Sequence, residues 1–309
     1  MAAPGPLSAA QLEAFGRDGF VTVTDAFPRD VALRCRDALW AKLDRDHGIL
    51  REDAATWSKA PKGRVGLAES FGGDDLGAPW AACWSPKLRN AVDQLCGAGR
   101  WVEPGLGWWV LSFPSLGPMV NWGAEGTWHV DGSHYTHTLD SPEIGLLPIF
   151  LFSDVKKEGG GTALAPGSHR AVARLLARAG DEGVGGPRLS ALARAAVGEV
   201  HNPVETCGRA GDVLLAHPLL LHARSANMGA SGDAGAVRFM CHPAVVLRAP
   251  ARLAGSLMTP VEAPLRAALE LPAAPLPAAA RRRPRDPDDD ATLLAMGFSG
   301  FGKRRKGRA

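Results

Sequence analysis

Tyrosine is almost missing from this chain, with Tyr135 alone among 309 residues. Cysteine is sparse too: Cys35, Cys83, Cys96, Cys207 and Cys241 are odd in number, scattered, and form no Cys-x-x-Cys pair. That excludes a disulfide-stapled scaffold and a zinc ribbon, and points to reduced thiols in a cytosol-like compartment. No stretch approaches 18 uncharged apolar residues, so no membrane span is expected. The opening residues, MAAPGP, run straight into a helix start without the basic and apolar segments of a secretory leader, which makes a cytoplasmic location the expectation. Excess charge is also small, a formal +3, and it sits at one end. From Arg281 onward nine Lys and Arg face four Asp, so the tail carries +5 and the rest of the chain −2. The clusters at 281–285 and 303–306 leave open a nuclear address or a nucleic-acid contact through the tail alone, beside the simpler reading of a solvated arm.

What is present suits one domain. Hydrophobic residues make up 46% of the chain, ample for a core, and barrels with appended helices commonly exceed two hundred residues as one unit. The expected division is a domain over 1–271, then a Pro-rich linker at 272–277 and a basic tail to 309. Ser8 suits the N-cap of a helix over 9–17 that ends at Gly19, and a strand follows at 20–24. A second helix is expected over 30–43, with Leu33, Ala38 and Leu39 among its buried positions. An irregular insert follows over 49–82. Ser85-Pro86-Lys87 opens a further helix running to Cys96, with Pro in the first turn. Strand signals then dominate at 107–113, 127–130, 144–152, 161–165, 212–216, 219–223 and 237–246. Helices over 170–179 and 189–197 interrupt them, and another over 259–269 closes the domain. The fold class is therefore mainly β with helices.

The chemistry concentrates in Thr127-Trp128-His129-Val130-Asp131-Gly132. An imidazole and a carboxylate two residues apart leave a strand on the same side. A second imidazole from a distant strand would complete the two-His-one-carboxylate triad that occupies one face of a six-coordinate Fe(II) and leaves the other face open. His222, 91 residues beyond Asp131, is the candidate. His217 is its rival, although the odd separation between the two turns them to opposite faces of a strand. Trp128 and Val130 alternate with the ligand pair and should point into the layer outside. Most of the crowded tryptophans (Trp108, Trp109, Trp122 and Trp128) are expected in the core, with one left open as a substrate wall.

Downstream the chain reads GDVLLAHPLLLHARSAN over 211–227 and VRFMCHP over 237–243, and between the ligand motifs lies EGGGTALAPGSHR over 158–170. Taken together with His129-x-Asp131, these segments resemble the phytanoyl-CoA dioxygenase family of Fe(II)/2-oxoglutarate oxygenases. The likeness covers roughly residues 8–247. It implies a double-stranded β-helix, the jelly-roll (cupin-like) barrel of that family, with its core at about 106–247 and helices packed outside. It also implies His129, Asp131 and His222 as metal ligands, with Fe(II), 2-oxoglutarate and O2 as cofactor and co-substrates. Succinate and CO2 would be released as a C–H bond of a small-molecule substrate is hydroxylated. Relatives that halogenate carry a small residue where Asp131 stands, so this carboxylate favours hydroxylation.

The far carboxylate of 2-oxoglutarate needs a buried cation, and Arg238 suits it, because a guanidinium grips a carboxylate through two hydrogen bonds and stays charged when desolvated. Arg224 is the competing anchor. In a strand from Val237, Arg238, Met240 and His242 share one face while Phe239 and Cys241 share the other. Ser225 and Thr162 are expected to add hydroxyl hydrogen bonds to the co-substrate. His134 and His137 are expected either at the substrate mouth or in a solvated loop, and His169 in a structural turn. Two other readings remain at this point: a cupin-like metalloenzyme that does not use 2-oxoglutarate, and a non-catalytic binding protein whose tail contacts nucleic acid.

Overall fold

The computed structural model describes residues 5–59, 80–105, 108–114, 128–200 and 202–270. The expected tail, His201, Trp122 and much of the 49–82 insert lie outside these residues. In chain order the elements are α1 (Ala9–Asp18), β1 (Phe20–Val23), α2 (Arg29–His47), α3 (Pro86–Cys96), β2 (Trp101–Val102), β3 (Trp108–Ser112), β4 (Thr136–His137), β5 (Leu147–Leu151) and β6 (Ala163–Leu164). They continue with α4 (Ser168–Ala179), β7 (Val184–Gly185), α5 (Gly186–Val197), β8 (Val204–Glu205), β9 (Val213–Ala216), β10 (His222–Ala223), β11 (Arg238–His242), β12 (Val246–Leu247) and α6 (Glu262–Leu269).

Local chemistry sets the helix ends. Ser8 accepts from the Gln11 backbone while the Gln11 side chain accepts from the Ser8 N–H, a reciprocal cap that starts α1. Ser85 caps α3 through the Leu88 N–H, with Pro86 in the first turn, where its missing N–H leaves no bond unmade. α2 buries Val31, Cys35, Leu39, Trp40 and Leu43, while Leu33 and Ala38 of the expected core are only half-buried. Trp40 of this buried stripe meets Phe239 of β11, with ring centroids 5.2 Å apart.

The large sheet is antiparallel, in the order β1-β9-β5-β11-β3. Every residue of β5 and β9 is buried, so these central strands carry apolar side chains on both faces. The outer face, with Phe150, Phe152, Phe239 and Trp109, packs under α1, α2 and α3. Trp109 and Phe152 stand 4.5 Å apart between ring centroids, and Trp80 stacks beside both. The inner face, with Leu147, Ile149, Leu151, Leu214, Ala216 and Met240, packs against Leu164 of the second sheet and Leu220 of the turn before β10. At about 1.5–3 kcal/mol for each large apolar side chain removed from water, these two layers dominate the stability.

The second sheet has the order β10-β6-β8. A single antiparallel bridge between His129 and His222 extends it by one further segment. Two antiparallel sheets face each other across the apolar cluster, with helices outside, as the double-stranded β-helix requires. Several strands are shorter than expected. The segment expected as a strand over 127–130 pairs at His129 alone, and Thr127 lies outside the described residues. The 219–223 strand is cut to β10 because Leu220 N–H bonds back to the His217 carbonyl in a turn. The 237–246 strand breaks into β11 and β12 around Pro243, which has no N–H for the ladder.

Candidate metal centre

The bridge between His129 and His222 makes the site. Each residue's N–H donates to the other's carbonyl, at 2.9 and 3.0 Å. Residues directly opposed in this way project their side chains to the same face, and the ring centroids lie 4.3 Å apart. Asp131, two residues beyond His129, is on that face as well. Its Oδ1 lies 3.5 Å from His129 Nε2 and 3.4 Å from His222 Nε2, and one donor atom from each residue falls within 4.8 Å of the others. Bonds of about 2 Å to a shared ion separate neighbouring donors by roughly 3 Å. The spacing suits one metal ion.

Two of the three candidate donors have partners that define their state. His222 Nδ1 donates to the Leu220 carbonyl at 3.0 Å, which fixes the ring and leaves Nε2 as the atom turned toward Asp131. Burial raises the pKa of Asp131, but His222 and His129 outweigh it and hold the carboxyl well below its ordinary range. His222 is buried, with 4% of its side chain exposed, whereas His129 and Asp131 keep 42% and 31%. The centre therefore opens on one side. Immediately after Asp131 the chain turns at Gly132, with φ 95°, where a Cβ would sit 2.4 Å from the Tyr135 ring.

Arg238 lies on the inner face of β11 and is 2% exposed. Its Nη1 donates to the Gly160 carbonyl, while Nε and Nη2 are buried without a hydrogen-bond partner. Burial, together with Arg224, pulls its pKa down to about 9 against the opposing pull of Glu205, so the group is still a cation at neutral pH. A buried cation with two unmet donors is costly unless an anion joins it. A carboxylate meets both donors at once.

A family model of phytanoyl-CoA dioxygenase (PhyH) matches residues 15–233. The chain belongs to the phytanoyl-CoA dioxygenase family. It is accordingly a non-haem Fe(II)/2-oxoglutarate-dependent oxygenase, and the orphaned guanidinium and the His-Asp-His group fit the diacid and the iron that such enzymes use. The alternatives of a cupin without 2-oxoglutarate and of a non-catalytic binding protein are not favoured. No curated protein matches the sequence. Among solved structures the chain is similar to AviO1 from Streptomyces viridochromogenes, at 21% identity and TM-score 0.47 over 81% of this chain and 99% of that one. It is similar to EctD from S. alaskensis with bound Fe, at 19% identity and TM-score 0.48 over 80% and 79%. It is also similar to the non-heme alpha ketoglutarate dependent carbocyclase SnoK from nogalamycin biosynthesis, at 18% identity and TM-score 0.46 over 78% and 84%. Among the described residues, no helix is long and apolar enough to cross a membrane.

The other expected residues of this dioxygenase distribute as follows. Arg224 is exposed while Arg238 is buried. Thr162 is buried, its hydroxyl 3.5 Å from His242 Nε2. The Ser225 hydroxyl donates to the Gly161 carbonyl at 2.5 Å, with Glu205 also in reach at 3.3 Å. It braces the backbone stretch whose Gly160 carbonyl meets Arg238. His217 does not join the metal group: its Nε2 donates to the Val261 carbonyl and its Nδ1 accepts from the Leu219 N–H. His134 is exposed, and His137 is buried with Nε2 donating to the Gly132 carbonyl at 2.9 Å. His169 is fully buried under α1. Trp128 and Val130 pack into the outer core, as the alternation predicts.

Sequence reasoning gave no role to two supports, Asn227 standing there only as a residue of the family motif. Asn227, buried, donates to the Ser112 and Ala236 carbonyls and accepts from the Gly229 N–H, which pins the loop that delivers Arg238. The second support is α5, which stands where another strand would pair with the ligand segment. Ser190 Oγ accepts from the Val130 N–H at 3.1 Å, and Arg194 Nη1 donates to the Trp128 carbonyl at 2.8 Å. The open edge of that segment left backbone groups needing partners, and no local pattern names which helix supplies them.

Proposed function

We propose that the protein is a hydroxylase of small molecules in which His129, Asp131 and His222 hold ferrous iron and Arg238 receives the far carboxylate of 2-oxoglutarate. The single observation that supports this most is the pairing of a three-donor cluster, open on one side, with a buried guanidinium that has two unmet donors. The iron, once loaded with its co-substrate and dioxygen, supplies the oxidising power for a C–H bond, with succinate and CO2 as co-products. The remaining work belongs to the chain. Asp131 stays ionised as a ligand, and Leu220 holds the His222 tautomer. Arg238 orients the diacid so that its 2-oxo acid end faces the metal group, with Thr162 and Ser225 beside that path. The apolar cluster of Leu147, Ile149, Leu151 and Met240 keeps water from the closed end. A carboxylate at 131, rather than a small residue, directs the reaction toward hydroxylation. We assign the activity to residues 1–271, with the basic tail unnecessary for turnover.

Anaerobic addition of Fe(II) and then 2-oxoglutarate tests the reading. A visible metal-to-ligand charge-transfer band should appear in the wild type and be missing in His222→Ala. In air, the wild type should convert 2-oxoglutarate to succinate in an iron-dependent way. No band and no succinate from the wild type would overturn the proposal.

A further inference from the structure

The inner face of β11 carries three side chains, and two have their roles. Arg238 is the diacid anchor under the reading above, and Met240 lies in the apolar cluster between the sheets. His242 is the third. It is half-buried, and among the described residues the hydrogen bond its ring makes is to Thr162, whose hydroxyl lies 3.5 Å from Nε2.

The register shows where this pair sits. Leu164 of β6 is the partner of His222, and Ala163 is the partner of Ala223, so Thr162 is two residues from the position opposite a metal ligand and on the same face of the strand. Across the barrel from it stands His242, on the opposing sheet. Thr162 and His242 thus close the interior beside the metal group, while Gly160 and Arg238 close it two and four residues further along their strands. A diacid with one end on the metal and the other on Arg238 passes this pair. His242 is not itself a ligand, since the group of donors able to share an ion comprises His129, Asp131 and His222.

We propose that His242, together with Thr162, is a co-substrate-binding residue that hydrogen-bonds the metal-side end of 2-oxoglutarate and sets how that end lies, an inference that rests on the functional reading above. The ring is neutral: burial lowers its pKa to about 3, with Asp131 pulling upward and His222, Arg238 and His129 adding to the fall. A neutral imidazole offers one donor and one acceptor. It supplies direction without adding charge to a site that already holds a guanidinium.

The test is an anaerobic titration of 2-oxoglutarate into the full-length Fe(II)-loaded protein, comparing wild type, His242→Phe, His242→Gln and Thr162→Val. The Kd and the position of the charge-transfer band are read together, and Fe(II) affinity is measured separately. Loss of a hydrogen bond at this half-buried position predicts a Kd up to about tenfold higher in His242→Phe, with a displaced band and unchanged iron affinity. His242→Gln, which keeps a donor, should recover most of the affinity, and Thr162→Val should fall between. His242→Met replaces His242→Phe should the larger ring fail to fold. Wild-type affinity and band position in both apolar variants would overturn the inference, as would His242→Gln binding no better than His242→Phe. Absence of any band in the wild type would remove the functional reading and this inference with it. A normal wild-type band with indistinguishable variants removes the inference alone.

Discussion

His129 stands against His222 with ring centroids 4.3 Å apart, and His169 stands against His217 at 4.9 Å. The two pairs share residue type and stacking distance, yet only the first is built to hold an ion. Three physical differences separate them. The first pair has Asp131 within 3.5 Å of both rings, whereas the charged neighbour felt most strongly by His169 is Arg170. The first pair opens to solvent through His129, whereas His169 and His217 are 0% and 1% exposed. In His222 the hydrogen bond to Leu220 uses one nitrogen and points the other inward, whereas His217 spends both nitrogens on Val261 and Leu219. A histidine pair becomes a metal site when its donor atoms and a carboxylate oxygen converge on one shared point. Otherwise it is core.

Exchanging losses between the pairs gives the largest expected effect. His222→Ala should abolish metal-dependent succinate formation, a loss greater than about 100-fold, while thermal unfolding still shows a folded barrel. His217→Ala should instead keep iron stoichiometry and lower stability by about 2–4 kcal/mol, through its cavity and two lost hydrogen bonds. Equal loss of bound iron in both variants would erase the distinction.

Next comes the anchor. Arg238→Met should raise the Kd for 2-oxoglutarate by about 30-fold or more, as expected when one partner of a buried charge pair is removed, with Fe(II) affinity intact by anaerobic titration. A comparable loss in Arg224→Met but not in Arg238→Met would transfer the role to the exposed residue.

The core pair has a pH signature. Burial, with Arg170, lowers the pKa of His169 from 6.5 to about 4, and burial, with His169, holds His217 well below 6.5. The unfolded chain therefore takes up protons first as pH falls. Stability should be level above 6.5 and drop toward pH 4 by about 1.4 kcal/mol per pH unit for each such group. Denaturant melts across pH 4–7 should show this slope, reduced by one proton in His169→Leu.

A smaller effect is expected outside the barrel. Ser190→Ala removes a hydrogen bond from the ligand segment and should weaken Fe(II) binding by up to about tenfold, with Ser190→Thr restoring it. The smallest effect belongs to the tail: a chain ending at Pro272 should turn over 2-oxoglutarate at the wild-type rate.

Much of the architecture was legible because its signals are local. Ser8, and Ser85 with Pro86, marked helix starts correctly, since a cap is decided within four residues. Alternation along Arg238-Phe239-Met240-Cys241-His242 assigned both faces of β11, since adjacent strand residues must point oppositely. Shorter features were not legible. β10 is two residues long because a turn at 217–220 consumes the rest of its expected span. The helix expected over 189–197 starts earlier, at Gly186, and its hydrogen bonds to 128–130 answer an unpaired edge some sixty residues away.

The chain alone determined the ligand types, their shared strand face and the family, because spacing and residue chemistry are properties of short segments and their order, and it left Arg224 beside Arg238 as a candidate anchor. Only the folded molecule decided that His222 and not His217 meets Asp131, that Arg238 is left with two unmet donors, and that His242 faces Thr162 across the barrel. Those outcomes depend on strand register and on which groups lose water, and both arise when segments distant in sequence pack together.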